Sequence, residues 1–154
     1  HKEAIMYSRI VVGIDGSELA NKALRHALKL AKESEARVFV VTATEPSLII
    51  APGAEMMAVN TGEIIAELEA AKTKSAAATL DEAEELAKTT GQTIEKIHVP
   101  SSLAADAIIS TAQAQGASLI VMGSHGRRGL GRLLLGSQAS EVLARSDIPV
   151  LVVK

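Results

Sequence analysis

The chain has 154 residues, with 16 Lys plus Arg against 18 Asp plus Glu and no cysteine. That length suits one domain with its own core, and the missing thiols exclude disulfides and thiolate metal sites. A net charge of −2 with one Tyr, one Phe and no Trp disfavours both a phosphate-backbone footprint and base-stacking platforms, so no nucleic-acid partner is expected.

No apolar run reaches the ~18 residues of a membrane span, and the N-terminus lacks the apolar stretch of a signal peptide. The expectation is a cytoplasmic protein with no membrane partner. Met6 reads as the natural start, with residues 1–5 as a leftover and 6–154 as one nucleotide-binding domain.

Along the chain, 9–15 (RIVVGID) is a short apolar run that reads as a buried strand. Ser17 can cap a helix, with Glu18 in its positive first turn. Apolar residues at 20, 23, 24, 27, 28 and 31 trace one face of that helix. Residues 37–44 form a second strand. Residues 45–60, with Pro46, Pro52 and Gly53, read as a loop in which Met56 and Met57 could cover a ligand. Residues 64–90, rich in Ala, Glu, Lys and Leu, predict a long helix ended by Gly91.

A third strand is expected over 92–99. Pro100-Ser101-Ser102 then opens a helix that runs to about Gln115, and Gly116 closes it. Residues 118–122 make a fourth strand, 137–145 a last helix and 150–153 a last strand. Strict β-α alternation implies parallel strands, right-handed crossovers and helices on both faces of an open sheet. The apolar strands suit a sheet covered on both sides. Ligands in such sheets sit beyond the carboxyl ends of the strands, at the switch in strand order. Asp15, Ala43-Thr44 and Met122-Gly123 fall at those ends.

The segment from Gly123 to Ser137 carries the strongest chemical signal. Gly126, Gly129 and Gly131 permit backbone shapes in which consecutive N–H groups form an anion nest. Gly136-Ser137 starts a helix whose free amides and positive dipole end form a second anion site. Arg127, Arg128 and Arg132 lie in this stretch, which contains no acid. The loop suits a polyphosphate, yet it is neither a P-loop nor the dinucleotide fingerprint, because G-x4-G-K-[ST] and G-x-G-x-x-G are both absent. Ser124-His125 does not read as a catalytic pair, since adjacent loop residues rarely align as nucleophile and base. His26 lies mid-helix, and His98 ends a strand with no ligand cluster around it in the sequence.

Gly123-x2-Gly126-x9-Gly136-Ser137 matches the G-x2-G-x9-G-[ST] signature of the ATP-binding universal stress proteins. The opening IVVGIDGS, the MGSHG at 122–126 and the closing PVLVV at 149–153 also resemble that family. The resemblance implies a Rossmann-like, adenine nucleotide alpha hydrolase-like fold with five parallel strands in the order 3-2-1-4-5. It places ATP, or another adenine nucleotide, at the 1/4 switch, with Mg2+ bound through the phosphates. Gly13, Ile14 and Asp15 would line the nucleoside, Asp15 accepting from ribose hydroxyls. Ala43 would meet the adenine edge, and Met122 and Gly123 would flank the ribose. Gly126, Arg127, Gly136, Ser137 and Gln138 would surround the phosphates, with His125 counted among the binding residues of the same loop. Ala139 stands where several relatives carry Ser or Thr, so AMP or cyclic AMP is an alternative ligand. The resemblance also implies a homodimer through the last strand. The function expected is an ATP-binding regulator of the stress response with an unidentified protein partner. A weak ATPase or a nucleotidyl-transfer enzyme is the alternative.

Overall fold

A computed structural model describes residues 6–47, 58–126 and 135–154. Five parallel strands form one sheet: β1 (Arg9–Gly13), β2 (Arg37–Ala43), β3 (Glu95–Val99), β4 (Leu119–Gly123) and β5 (Val150–Val153). Their order is β3-β2-β1-β4-β5, as the resemblance implies. Helices α1 (Glu18–Ser34), α2 (Ala58–Lys88), α3 (Ala104–Gln115) and α4 (Ser137–Arg145) alternate with them.

Side chains alternate across a strand, and this parity sorts the core into two. Ile10, Val12, Val38, Val40, Leu119 and Val121 face α1 and α2. Val11, Phe39, Val41, Ile120 and Met122 face α3 and α4. The pairing Ile10↔Val38 and Ile10↔Leu119 puts these residues at one level across the three central strands. A one-residue slip would send each set to the wrong helix layer.

The first helix follows its sequence pattern closely. Ser17 accepts a hydrogen bond from Ala20 N at 3.2 Å, and residues 20, 23, 24, 27, 28 and 31 are its buried face. Gly16 adopts φ +83° in the turn that reverses the chain from β1 into α1, a conformation that favours glycine.

Several boundaries differ from the sequence reading. β1 ends at Gly13, so Asp15 lies just past the strand. The second helix begins at Ala58 rather than 64. β3 begins at Glu95, because Gln92 turns aside and its Nε2 donates to Leu28 O at 2.7 Å. The third helix does not open at Pro100-Ser101-Ser102. Ser101 takes a left-handed φ of 52°, Leu103 is the N-cap, and its side chain forms no capping bond. Gln138, 33 residues downstream, supplies the acceptor instead: Ala105 N donates to its Oε1 at 2.8 Å.

Candidate functional site

The carboxyl ends of β1, β2 and β4 open into one cleft of about 680 Å3. Gly13, Ile14, Asp15, Ala43, Met122, Gly123, His125, Gly126, Gly136, Ser137 and Gln138 all line it. Eleven of the twelve expected binding residues are thus brought to one place by the switch in strand order. Arg127 lies outside the described residues, as do Arg128, Gly129, Gly131, Arg132, Met56 and Met57.

On the β1 side, Asp15 has two faces. Its Oδ1 accepts from Ser17 N at 2.9 Å, which ties the turn into α1. Its Oδ2 lies where Gly126 comes closest: a Cβ on that glycine would sit 2.7 Å from it. Asp15 therefore serves the turn and also presents a carboxylate to the cleft. Gly126 has no left-handed φ, so it is needed for close approach rather than for an unusual backbone angle. Gly13 is likewise packed tightly, since a Cβ there would meet the side chain of Ile108.

On the β4 side, Ser124 N donates to Val153 O at 2.8 Å and Gly136 N to Ser124 O at 2.7 Å. These bonds hold the start of α4 beside the end of β4. A Cβ on Gly136 would come within 3.0 Å of Ser124 O. Gly136 is the N-cap of α4 and Ser137 its first helical residue, with no side-chain capping bond among the described residues. The first turn of α4 lines the cleft, where its amides and positive dipole end favour an anion. Ala139, in the same turn, is 2% exposed and packs into the core beneath α3 and α4. His125 Nδ1 approaches Gly126 O at 3.3 Å.

Val41, Ala43, Pro46, Ala104 and Ile108 give the cleft apolar lining. Thr44, which the sequence places with Ala43 at the end of the second strand, also lines the cleft, and sequence reasoning missed Glu45, Lys72 and Ser102. Lys72 comes from the middle of α2, and its Nζ donates to Glu45 O at 2.6 Å. The described inward stripe of α2 runs through 61, 65, 69, 72 and 76, a helical spacing. A search for apolar periodicity passes over it because positions 61, 69 and 72 are Thr, Glu and Lys. Away from the cleft, His26 Nδ1 contacts Lys22 O at 3.0 Å within α1. Among the described residues no group of three or more His, Cys, Asp or Glu could hold a metal. No described helix is long and apolar enough to cross a membrane.

The profile of the universal stress protein family matches residues 6–154. The universal stress protein MJ0531 of Methanocaldococcus jannaschii is 35% identical over 151 residues, covering 97% of this chain and 83% of that protein. The solved structure of hypothetical protein MJ0577, from the same organism, superposes with a TM-score of 0.80 at 27% identity, over 97% of both chains. A universal stress protein crystallised in complex with cAMP superposes with a TM-score of 0.71 at 30% identity, over 97% of this chain and 98% of the other.

Proposed function

The chain belongs to the universal stress protein family, and from that premise we propose that its cleft holds an adenine nucleotide and that the protein acts as a nucleotide-dependent regulator. One observation carries this reading. A carboxylate, Asp15, and a helix start, Gly136-Ser137, that has no side-chain capping bond among the described residues face one cleft from opposite sides of the β1/β4 switch. A carboxylate there accepts hydrogen bonds from ribose hydroxyls. The helix start and glycine loop donate to phosphate. The part of the cleft beside Ala43 and Ile108 takes the base. Gln138 lines the phosphate end; its side-chain oxygen is bonded to α3, so what it offers a phosphate is its side-chain Nε2 and its backbone amide.

ATP with Mg2+ is the ligand favoured by the loop composition. Mg2+ keeps most of its waters and binds mainly through substrate phosphates. That suits a site whose described residues offer no ligand cluster. A second reading, AMP or cyclic AMP, rests on two observations. Ala139 brings no hydroxyl to the first turn of α4, and a relative 30% identical was crystallised with cAMP. In either case the chain's work is to bind and orient. The regulator reading extends to a cytoplasmic protein that dimerises along β5 and hands its nucleotide state to a protein partner.

Denaturing the purified protein and identifying the released nucleotide by mass spectrometry tests the reading. ATP is expected; AMP or cyclic AMP would favour the second form. A protein that carries no nucleotide, and binds none on titration, would overturn both. Phosphate release at a rate abolished by Ser137→Ala would favour the weak-ATPase alternative.

A further inference from the structure

The stretch 44–47 forms the base-end wall of the cleft, and the first three of these residues line it. It has left the sheet, so its shape is set by whatever grips it. Thr44 is held from the β3 side: its N donates to Val99 O at 3.1 Å, and its hydroxyl lies 2.8 Å from His98 Nε2. Ser102 N donates to Thr44 O at 3.0 Å. Two further grips come from α2. Lys72 Nζ donates to Glu45 O at 2.6 Å, and Ser47 N donates to Glu69 Oε1 at 3.2 Å.

Glu69 and Lys72 occupy the inward stripe of α2, while Ile64 and Leu68 on the same helix are 40% and 41% exposed. A helix that only needed packing would do the reverse. Here Glu69 and Lys72 are turned inward onto backbone groups, while Ile64 and Leu68 are left outside. The carboxyl of Glu69 is held below its ordinary range, first by its contact with Ser47, and the nearby Lys72 adds to this.

We propose that Lys72 and Glu69 are positioning residues for the nucleoside: they clamp 45–47 to α2 and so set the depth of the base pocket. The proposal rests on the adenine-nucleotide reading of the cleft. Neither residue needs to touch the phosphates. Their loss lets the wall swing, and the part of the ligand common to adenosine and ATP loses its fit.

Lys72→Met keeps the aliphatic stem and removes the ammonium; Glu69→Ala removes the acceptor. Both sites are on a largely exposed stretch of α2, so the fold is expected to persist. Calorimetric titration of each variant with adenosine and with ATP is expected to show a loss of about tenfold for both ligands, the scale of one charged hydrogen bond. The ratio of the two affinities should be preserved. Lys72→Arg, which can still donate to Glu45 O, is expected to recover most of the loss. Hydrogen exchange without ligand supplies an independent readout. The Ser47 and Ser102 amides should exchange faster in Lys72→Met while those of α1 are unchanged.

Wild-type affinity in Lys72→Met with unchanged Ser47 exchange would overturn the proposal. A loss confined to ATP would also overturn it, because Lys72 would then be a phosphate ligand. If the wild type itself bound neither ligand, the nucleotide reading would fall and this nucleoside role with it; faster exchange would then mark the clamp as purely structural.

Discussion

At the scale of single residues, the glycines of the loop act through contact distance. Gly126 sits so close to Asp15 that even a methyl group would press on the carboxylate. Gly126→Ala is therefore expected to weaken adenosine as well as ATP, because it displaces the group that meets the ribose. Calorimetric titration of both ligands checks this, with circular dichroism confirming the fold. Asp15→Ala should weaken ATP, AMP and adenosine by a common amount, roughly 1.5–3 kcal/mol for one charge-assisted hydrogen bond. An effect on ATP alone would place the carboxylate at the phosphates or metal. Ser137→Ala makes the contrast. Gly136, not Ser137, caps α4, so little helix stability is at stake. ATP should weaken while adenosine binding is unchanged, and a variant that binds ATP like wild type would remove the helix start from the phosphate site.

At the scale of elements, α2 does two jobs along its length. Its C-terminal half packs Ala76, Leu80, Ala83 and Ala87 into the core, while its middle grips the wall of the cleft. The grip by Glu69 has a pH signature. Its carboxyl titrates below the ordinary range because the charged form is bonded to Ser47. A depressed folded-state value means the contribution is complete above the ordinary carboxylate pKa and is lost as pH falls through the lowered one. The Ser47 amide resonance is expected to shift on acidification over that interval, below ordinary glutamates, and Glu69→Gln should abolish the titration. β5 presents the other element-scale question. Among the described residues it pairs only with β4, and Val150, Leu151 and Val152 remain half-buried. An apolar edge strand without a charge along it invites pairing.

At the scale of the whole molecule, that edge and the cleft lead to two expected outcomes. Antiparallel pairing of two β5 edges about a two-fold axis would use their free backbone groups, so light scattering at tens of micromolar protein is expected to give a dimer mass. A monomer mass would reject the proposal. ATP with Mg2+ should raise the melting temperature, since a ligand confined to the native state adds about 2.7 kcal/mol at a hundredfold excess over Kd. If AMP or cyclic AMP moves the transition and ATP does not, the triphosphate reading fails.

The sequence by itself determined the alternation of strands and helices, the buried face of α1 and the glycine-serine signature of the loop. These are written in local periodicity and in residues with few conformational alternatives, so neighbours along the chain suffice to read them. Strand order came from the family resemblance, and the sheet pairing bears it out. Tertiary structure alone decided the relations between distant segments. Gln138 caps a helix 33 residues upstream, in place of the serines that stand beside it in sequence. Lys72 and Glu69 reach back 27 and 22 residues to the stretch that follows β2. Gly126 is required by Asp15, on another strand end, rather than by its own φ. The physical reason is common to the contacts of Gln138, Lys72 and Glu69. A backbone group left unpaired when the chain leaves a sheet or starts a helix takes whichever polar side chain the fold brings within about 3 Å, and packing, not sequence distance, chooses that partner.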